Sequence, residues 1–156
     1  MTYTLAFVIF EGELLLINRE KAPWTGCWNG LGGKIEPDES PIEAAIRELK
    51  EEAGLDFTKN QVTYKGKLTW NTSDDYLYLF VCDSKIKINT PLKTREGILD
   101  YKKLNWILDD NLGVAHNIPY FIETVLFDDE IYDYHCIFEG NQLLEVKKKR
   151  GHLWIF

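Results

Sequence analysis

Three glutamates, Glu48, Glu51 and Glu52, stand at i, i+3 and i+4 in a stretch with helical patterning. At helical pitch that spacing brings their carboxylates onto one face, where like charges repel by roughly a few tenths of a kcal/mol per pair. Only Arg47 and Lys50 lie close enough in sequence to offset this. A hard divalent cation would turn the repulsion into binding, because Mg²⁺ takes oxygen ligands and favours carboxylates combined with substrate phosphates. A solvated charged helix face uses the same residue types, so the trio alone leaves both readings open.

The helix that would carry them has legible ends. Ser40 is a good N-cap, Pro41 suits the first helical position, and Glu43 falls where a capping box needs its carboxylate. Gly54 supplies the stop. Ile42, Ala45, Ile46, Leu49 and Ala53 recur at helical spacing and define a buried face away from the glutamates.

The wider spacing separates the two readings. Gly-x5-Glu-x7-Arg-Glu-hydrophobic-x-Glu-Glu-x-Gly-hydrophobic is the Nudix box. The chain meets it at Gly33, Glu39 and Arg47, then at Glu48, Leu49, Glu51 and Glu52, and finally at Gly54 and Leu55. From average residue usage, such a match arises by chance at one start point with odds on the order of one in 10⁹ to 10¹⁰. By this resemblance the chain is identified as a member of the Nudix hydrolases. The resemblance implies an α+β fold, an α/β/α sandwich with a mixed sheet between helices, over residues 1–156 as a single domain. It also implies Mg²⁺, with Mn²⁺ as a substitute, held by Glu48, Glu51 and Glu52. A glycine carbonyl, from Gly33 or Gly32, would join the metal shell.

Further segments resemble the MutT-type branch, which removes oxidised purine nucleoside triphosphates such as 8-oxo-dGTP. Trp28-Asn29-Gly30-Leu31-Gly32-Gly33-Lys34 matches its glycine-rich run. The resemblance gives Asn29, beside Trp28, a base contact, and gives the same role to Asn117 near the start of a later helix. Glu96 is the candidate for the additional glutamate that reaches the metals or the attacking water. Arg47 cannot act as a base near neutral pH and is expected to orient a box glutamate through a bidentate pair, with Glu39 supporting the loop or an outer metal. The implied reaction is Mg²⁺-dependent cleavage of a nucleoside triphosphate to monophosphate and pyrophosphate. The same box also serves hydrolases of ADP-ribose and nucleotide sugars, and nucleotide-binding sensors that do no chemistry.

Composition sets the outer bounds. The chain has 156 residues, 45% of them hydrophobic, enough for one domain with a core. A net charge of −7 argues against a general nucleic-acid surface, and leaves a nucleotide handled through bound cations as the expected partner. Cys27, Cys82 and Cys136 lack paired spacing, which points to reduced thiols in a cytoplasmic protein. The longest apolar run, Leu5–Phe10, is far too short to span a bilayer, so no membrane partner is expected.

The remaining elements must position these groups. Two antiparallel strands are expected at Thr2–Phe10 and Leu14–Ile17, and a hairpin from Lys65–Trp70 and Tyr76–Cys82. Thr4 is a polar residue in an otherwise apolar strand; its hydroxyl serves either a neighbouring loop or a ligand. Trp70, Tyr76 and Tyr78 are candidates for a base pocket or for sheet packing. Residues 83–95 read as a loop kept out of the sheet by Pro91. Pro119 opens a helix burying Ile118, Phe121, Ile122, Val125 and Leu126. A last hairpin joins Ile131–Phe138 to Leu143–Lys147. The basic run Lys147–Arg150 reads as a solvated strand end, and Leu153–Phe156 is expected to pack back on the body.

Overall fold

Alternation of apolar residues builds the sheet from its centre. In β1 (Thr2–Phe10), Ala6 and Val8 face one layer while Phe7 faces the other, and all three are buried. The computed structural model describes residues 1–21, 25–109 and 112–152. β1 turns at Glu11–Gly12 into antiparallel β2 (Glu13–Arg19), the expected hairpin. On its other side β1 pairs in parallel with β5 (Tyr76–Asp83). β4 (Val62–Trp70) joins β5 antiparallel and β8 (Tyr132–Glu139) in parallel. The edges are β6 (Leu92–Lys93), reached through β7 (Gly97–Lys103), and β9 (Gln142–Arg150) beyond β8. The short β3 (Trp28–Asn29) pairs with β2 off this path.

Helices cover both faces. α1 (Pro41–Ala53) starts with the full capping box, the Ser40 hydroxyl accepting from Glu43 N and the Glu43 carboxylate from Ser40 N, and ends at Gly54 in the left-handed conformation. It presses Ile42, Ala45, Leu49 and Ala53 onto the face holding Ala6, Val8, Leu15 and Ile17. α2 (Leu104–Leu108) and α3 (Ile118–Phe127) close the opposite face over Phe7, Leu14 and Leu16. Ile118, Phe121, Ile122 and Val125 are buried as the helical spacing implied, while Leu126 is only half-buried.

Two outcomes differ from the sequence reading or extend it. The stretch 83–95 is not wholly loop: Leu92–Lys93, immediately after Pro91, pairs with Ile98 and Leu99 as an edge strand. A proline cannot donate into a ladder, so pairing begins one residue after it. The basic run lies within β9, where Lys148 caps the Tyr132 ring at 4.6 Å and Arg150 meets Glu130 at 2.9 Å; charges suit an unpaired sheet edge. The tail 153–156 lies outside the described residues. No helix among the described residues is long and apolar enough to cross a membrane, and Cys27, Cys82 and Cys136 are free thiols.

Candidate active site

α1 brings its three glutamates to one end of the sheet but gives each a different environment. Glu51 is 60% exposed, Glu48 15%, and Glu52 is buried at 8%. Arg47 accounts for the first two. Its Nη1 donates to Glu48 Oε1 at 3.0 Å and to Glu51 Oε2 at 3.3 Å. Its Nε and Nη2 clasp both oxygens of Glu39 at 3.0 and 2.6 Å, and Nη2 also reaches the Lys34 carbonyl at 3.1 Å. Every donor of the guanidinium is thereby spent. The bidentate partner is Glu39 rather than one of the clustered glutamates, and Glu39 in turn fixes the loop by accepting from Glu36 N at 2.8 Å. The Arg47 guanidinium holds the Glu39 carboxyl below the usual range.

Glu52 has no such partner. Its Oε2 is buried without a hydrogen bond. Burial pushes its pKa up to about 8, reinforced by the charges of Glu48 and Glu96 and opposed by Arg19 and the Gly32 N–H. Burial also raises Glu48, against the pull of Arg47. The loop that covers these groups lies along the start of β1: Thr4 N donates to Gly33 O at 2.8 Å, and Ala6 and Leu31 exchange both backbone bonds. Contact is so close that a Cβ on Gly32 would strike the Thr4 carbonyl, and one on Gly33 would strike the Glu48 carboxylate. The Gly33 carbonyl is used once, by Thr4, and keeps a second lone pair for a ligand.

Glu48, Glu52 and Glu96 line one cavity of about 530 Å³ together with Thr4, Arg19 and Lys34. Glu96 is set there by the turn between β6 and β7, where Thr94 Oγ1 accepts its N–H at 3.2 Å. Thr4 is 2% exposed and its hydroxyl has no partner, so the neighbouring loop does not satisfy it. Arg19, at the end of β2, and Lys34 are cations that sequence reasoning did not single out. Arg19 follows a run of β-strand pattern, and only the pairing of β2 with β1 and β7 reveals which way it points.

A second cavity of about 590 Å³ opens from the first, sharing Leu5, Asn29, Trp70 and Leu77. Its own walls add Asn117, Asn141, His116 and Phe138, and its described lining contains no aspartate, glutamate, lysine or arginine. Asn29 and Asn117, far apart in sequence, thus meet one space. Trp28 does not reach it: Trp28 stands edge-on to Trp106 at 6.5 Å with Lys102 over its ring at 4.5 Å. Neighbouring strand residues point to opposite sides, so β3 can offer only one of its two side chains to the cavity, and that one is Asn29. Likewise β5 sends Leu77 to the cavities, while Tyr76 and Tyr78 pack against each other.

A divalent cation fits the donor set. Glu52 offers an unpartnered buried oxygen, Glu48 and Glu96 are electrostatically coupled to it, and all are hard oxygen ligands. Among the described residues, no three carboxylate, histidine or cysteine side chains already converge as ligands; Arg47 engages Glu48 and Glu51 instead.

The model of the NUDIX domain matches residues 2–120. The chain belongs to the Nudix family. Curated relatives match about a third of the chain. The CTP pyrophosphohydrolase of Escherichia coli is 43% identical over 54 residues, 34% of this chain and 40% of that protein. The oxidized purine nucleoside triphosphate hydrolase of Danio rerio is 44% identical over 52 residues, 33% of each. The ADP-ribose pyrophosphatase of Methanocaldococcus jannaschii is 44% identical over 45 residues, 29% of this chain and 27% of that protein. The chain thus spans two fifths or less of the length of these relatives. Among solved structures, a MutT protein from Bacillus halodurans superposes with a TM-score of 0.78 at 24% identity, over 94% of this chain and 96% of that one. The Nudix fold, a mixed sheet between helices, therefore holds over nearly the whole chain.

Proposed function

We propose that this Nudix protein is a Mg²⁺-dependent hydrolase of oxidised purine nucleoside triphosphates such as 8-oxo-dGTP, releasing the monophosphate and pyrophosphate. The observation that carries the reading is the junction of two unlike cavities. One holds carboxylates with Arg19 and Lys34, the other amides and apolar rings without formal charge, and Asn29 and Trp70 border both. A triphosphate and a neutral base need those two environments side by side. Relatives named for oxidised purine nucleoside triphosphates and for CTP support the triphosphate class.

In this reading Glu48 and Glu52 would hold the cation, with Glu96 facing them and Glu51, bonded to Arg47, beside them. The cation, when bound, neutralises phosphate oxygens and lowers the pKa of water. Arg19 and Lys34 bind the phosphate chain. Thr4, with its unpartnered hydroxyl, donates to a phosphate or sugar oxygen. The water proton goes to Glu52 or Glu96, neither of which Arg47 occupies. Arg47 and Glu39 keep the loop and Glu48 in register. On the base side, the Asn29 and Asn117 amides present donors and acceptors to the purine edge, and Trp70 offers a ring for stacking.

The test is a screen with Mg²⁺, its products identified by mass, over normal and oxidised nucleoside triphosphates, with ADP-ribose and nucleotide sugars alongside. Pyrophosphate release from triphosphates, strongest with an 8-oxo-purine, is expected. Cleavage of ADP-ribose without triphosphate cleavage contradicts the reading.

A further inference from the structure

One wall of the second cavity comes from the β8–β9 hairpin, which lies beyond the residues matched by the family model. Phe138, Gly140 and Asn141 at its tip all line the cavity. Two irregularities meet there. The β8–β9 register slips between Ile137 and Phe138, which bends the strand. On its other side β8 loses its neighbour, because the β4–β8 ladder ends at Trp70 and Cys136 as β4 turns away.

Asn71 replaces the missing strand. Its backbone N–H extends the ladder by one bond, to Cys136 O at 3.1 Å. Its side chain continues the ladder by one residue: Nδ2 donates to Phe138 O at 3.0 Å, and Phe138 N donates to Oδ1 at 2.9 Å. A carboxamide carries the same donor and acceptor as a peptide group, so it can close both bonds at once. Next to it in sequence Thr72 also lines the cavity, and the His116 ring meets the Phe138 ring at 5.5 Å.

We propose that Asn71 is a positioning residue for base selectivity, its amide holding Phe138 and the hairpin tip as one wall of the nucleobase cavity. The proposal rests on the reading of that cavity as a base site. Asn71 itself lines neither cavity, so its effect must pass through Phe138. Glutamine adds a methylene and displaces both bonds. Aspartate keeps the acceptor for Phe138 N but sets a carboxylate against the Phe138 carbonyl. Neither should substitute for asparagine.

The experiment is a double-mutant cycle with Asn71→Ala and Phe138→Ala, read as KM and kcat on 8-oxo-dGTP and dGTP. Asn71→Ala is expected to raise KM for the preferred triphosphate at least about fivefold, to keep kcat within about twofold, and to compress the selectivity ratio. Adding it to Phe138→Ala should have little further effect. Additive losses, an unchanged KM, or an equal fall in kcat on both substrates overturns the proposal. The same cycle is run in parallel on the dissociation constants of the corresponding monophosphates by calorimetry. A wild-type chain that binds monophosphates but hydrolyses no triphosphate overturns the functional reading and leaves the clamp to be judged on binding, where indifference to Asn71→Ala refutes it. Absence of nucleotide binding refutes both.

Discussion

Arg47 grips Glu39 with two sides of its guanidinium, at 2.6 and 3.0 Å, while its remaining amino group steadies Glu48 at 3.0 Å. A residue of the preceding loop and a residue of the helix are thus fixed by one planar fork. Lysine carries the charge without the fork. Arg47→Lys is therefore expected to cost about 1 kcal/mol in urea unfolding, a modest figure because the pair is partly solvated. The same change should lower kcat about tenfold or more through lost orientation of Glu48. Turnover within twofold of wild type would contradict this role.

Glu52 makes the metal-free protein sensitive to pH. Its folded pKa, about 8, lies above the ordinary 4.5. The acid form therefore stabilises the fold fully below about pH 4.5, and that contribution is lost as pH rises through about 8. Glu48, Glu96 and Arg19 all face the group, and their net effect leaves it raised. In chelator, Glu52→Gln should melt above wild type at pH 8.5, by about 2–4 °C per kcal/mol of relief, and level with it at pH 5. Equal melting offsets at both pH values would refute the assignment.

Gly32 and Gly33 are adjacent yet should fail differently. A methyl on Gly32 meets the Thr4 backbone, which cannot move without breaking the loop from β1; a methyl on Gly33 meets the end of the Glu48 side chain. Gly32→Ala is expected to lose about 1–3 kcal/mol of stability. Gly33→Ala should keep stability within about 0.5 kcal/mol and lose most of its activity, because Glu48 is displaced. Denaturant melts and turnover on both variants check this.

Asn117 lines the uncharged cavity with Asn29. Wild type is expected to prefer 8-oxo-dGTP over dGTP by more than about tenfold in kcat/KM, because a site built on such bonds leaves its own amides unpaired with the wrong base. Asn117→Ala should shrink that ratio more than it lowers turnover of dGTP. Equal kcat/KM for the two triphosphates in wild type removes the oxidised-purine assignment and leaves the Nudix fold untouched.

The box and its helix were legible because their constraints are local. Ser40, Glu43 and Gly54 act within a few residues of themselves, and the glutamate spacing is a property of one helix. What depended on pairing across the sheet was not. Arg19 enters the acidic cavity only because β2 lies between β1 and β7, and of the two candidate rings Trp70 lines the cavity while Trp28 packs against Trp106, because strand register decides which side chain faces it. The Glu39–Arg47 clasp spans a loop whose path no periodicity describes. β6, two residues long, carries too little pattern to announce itself.

The most direct measurement follows 8-oxo-dGTP in ¹⁸O-labelled water with Mg²⁺, comparing wild type with Glu52→Gln by product mass and rate. The account predicts monophosphate and pyrophosphate from wild type, and turnover at least about a hundredfold lower in the variant, which keeps its fold. Orthophosphate with a nucleoside diphosphate, or near-normal turnover by Glu52→Gln, would contradict it.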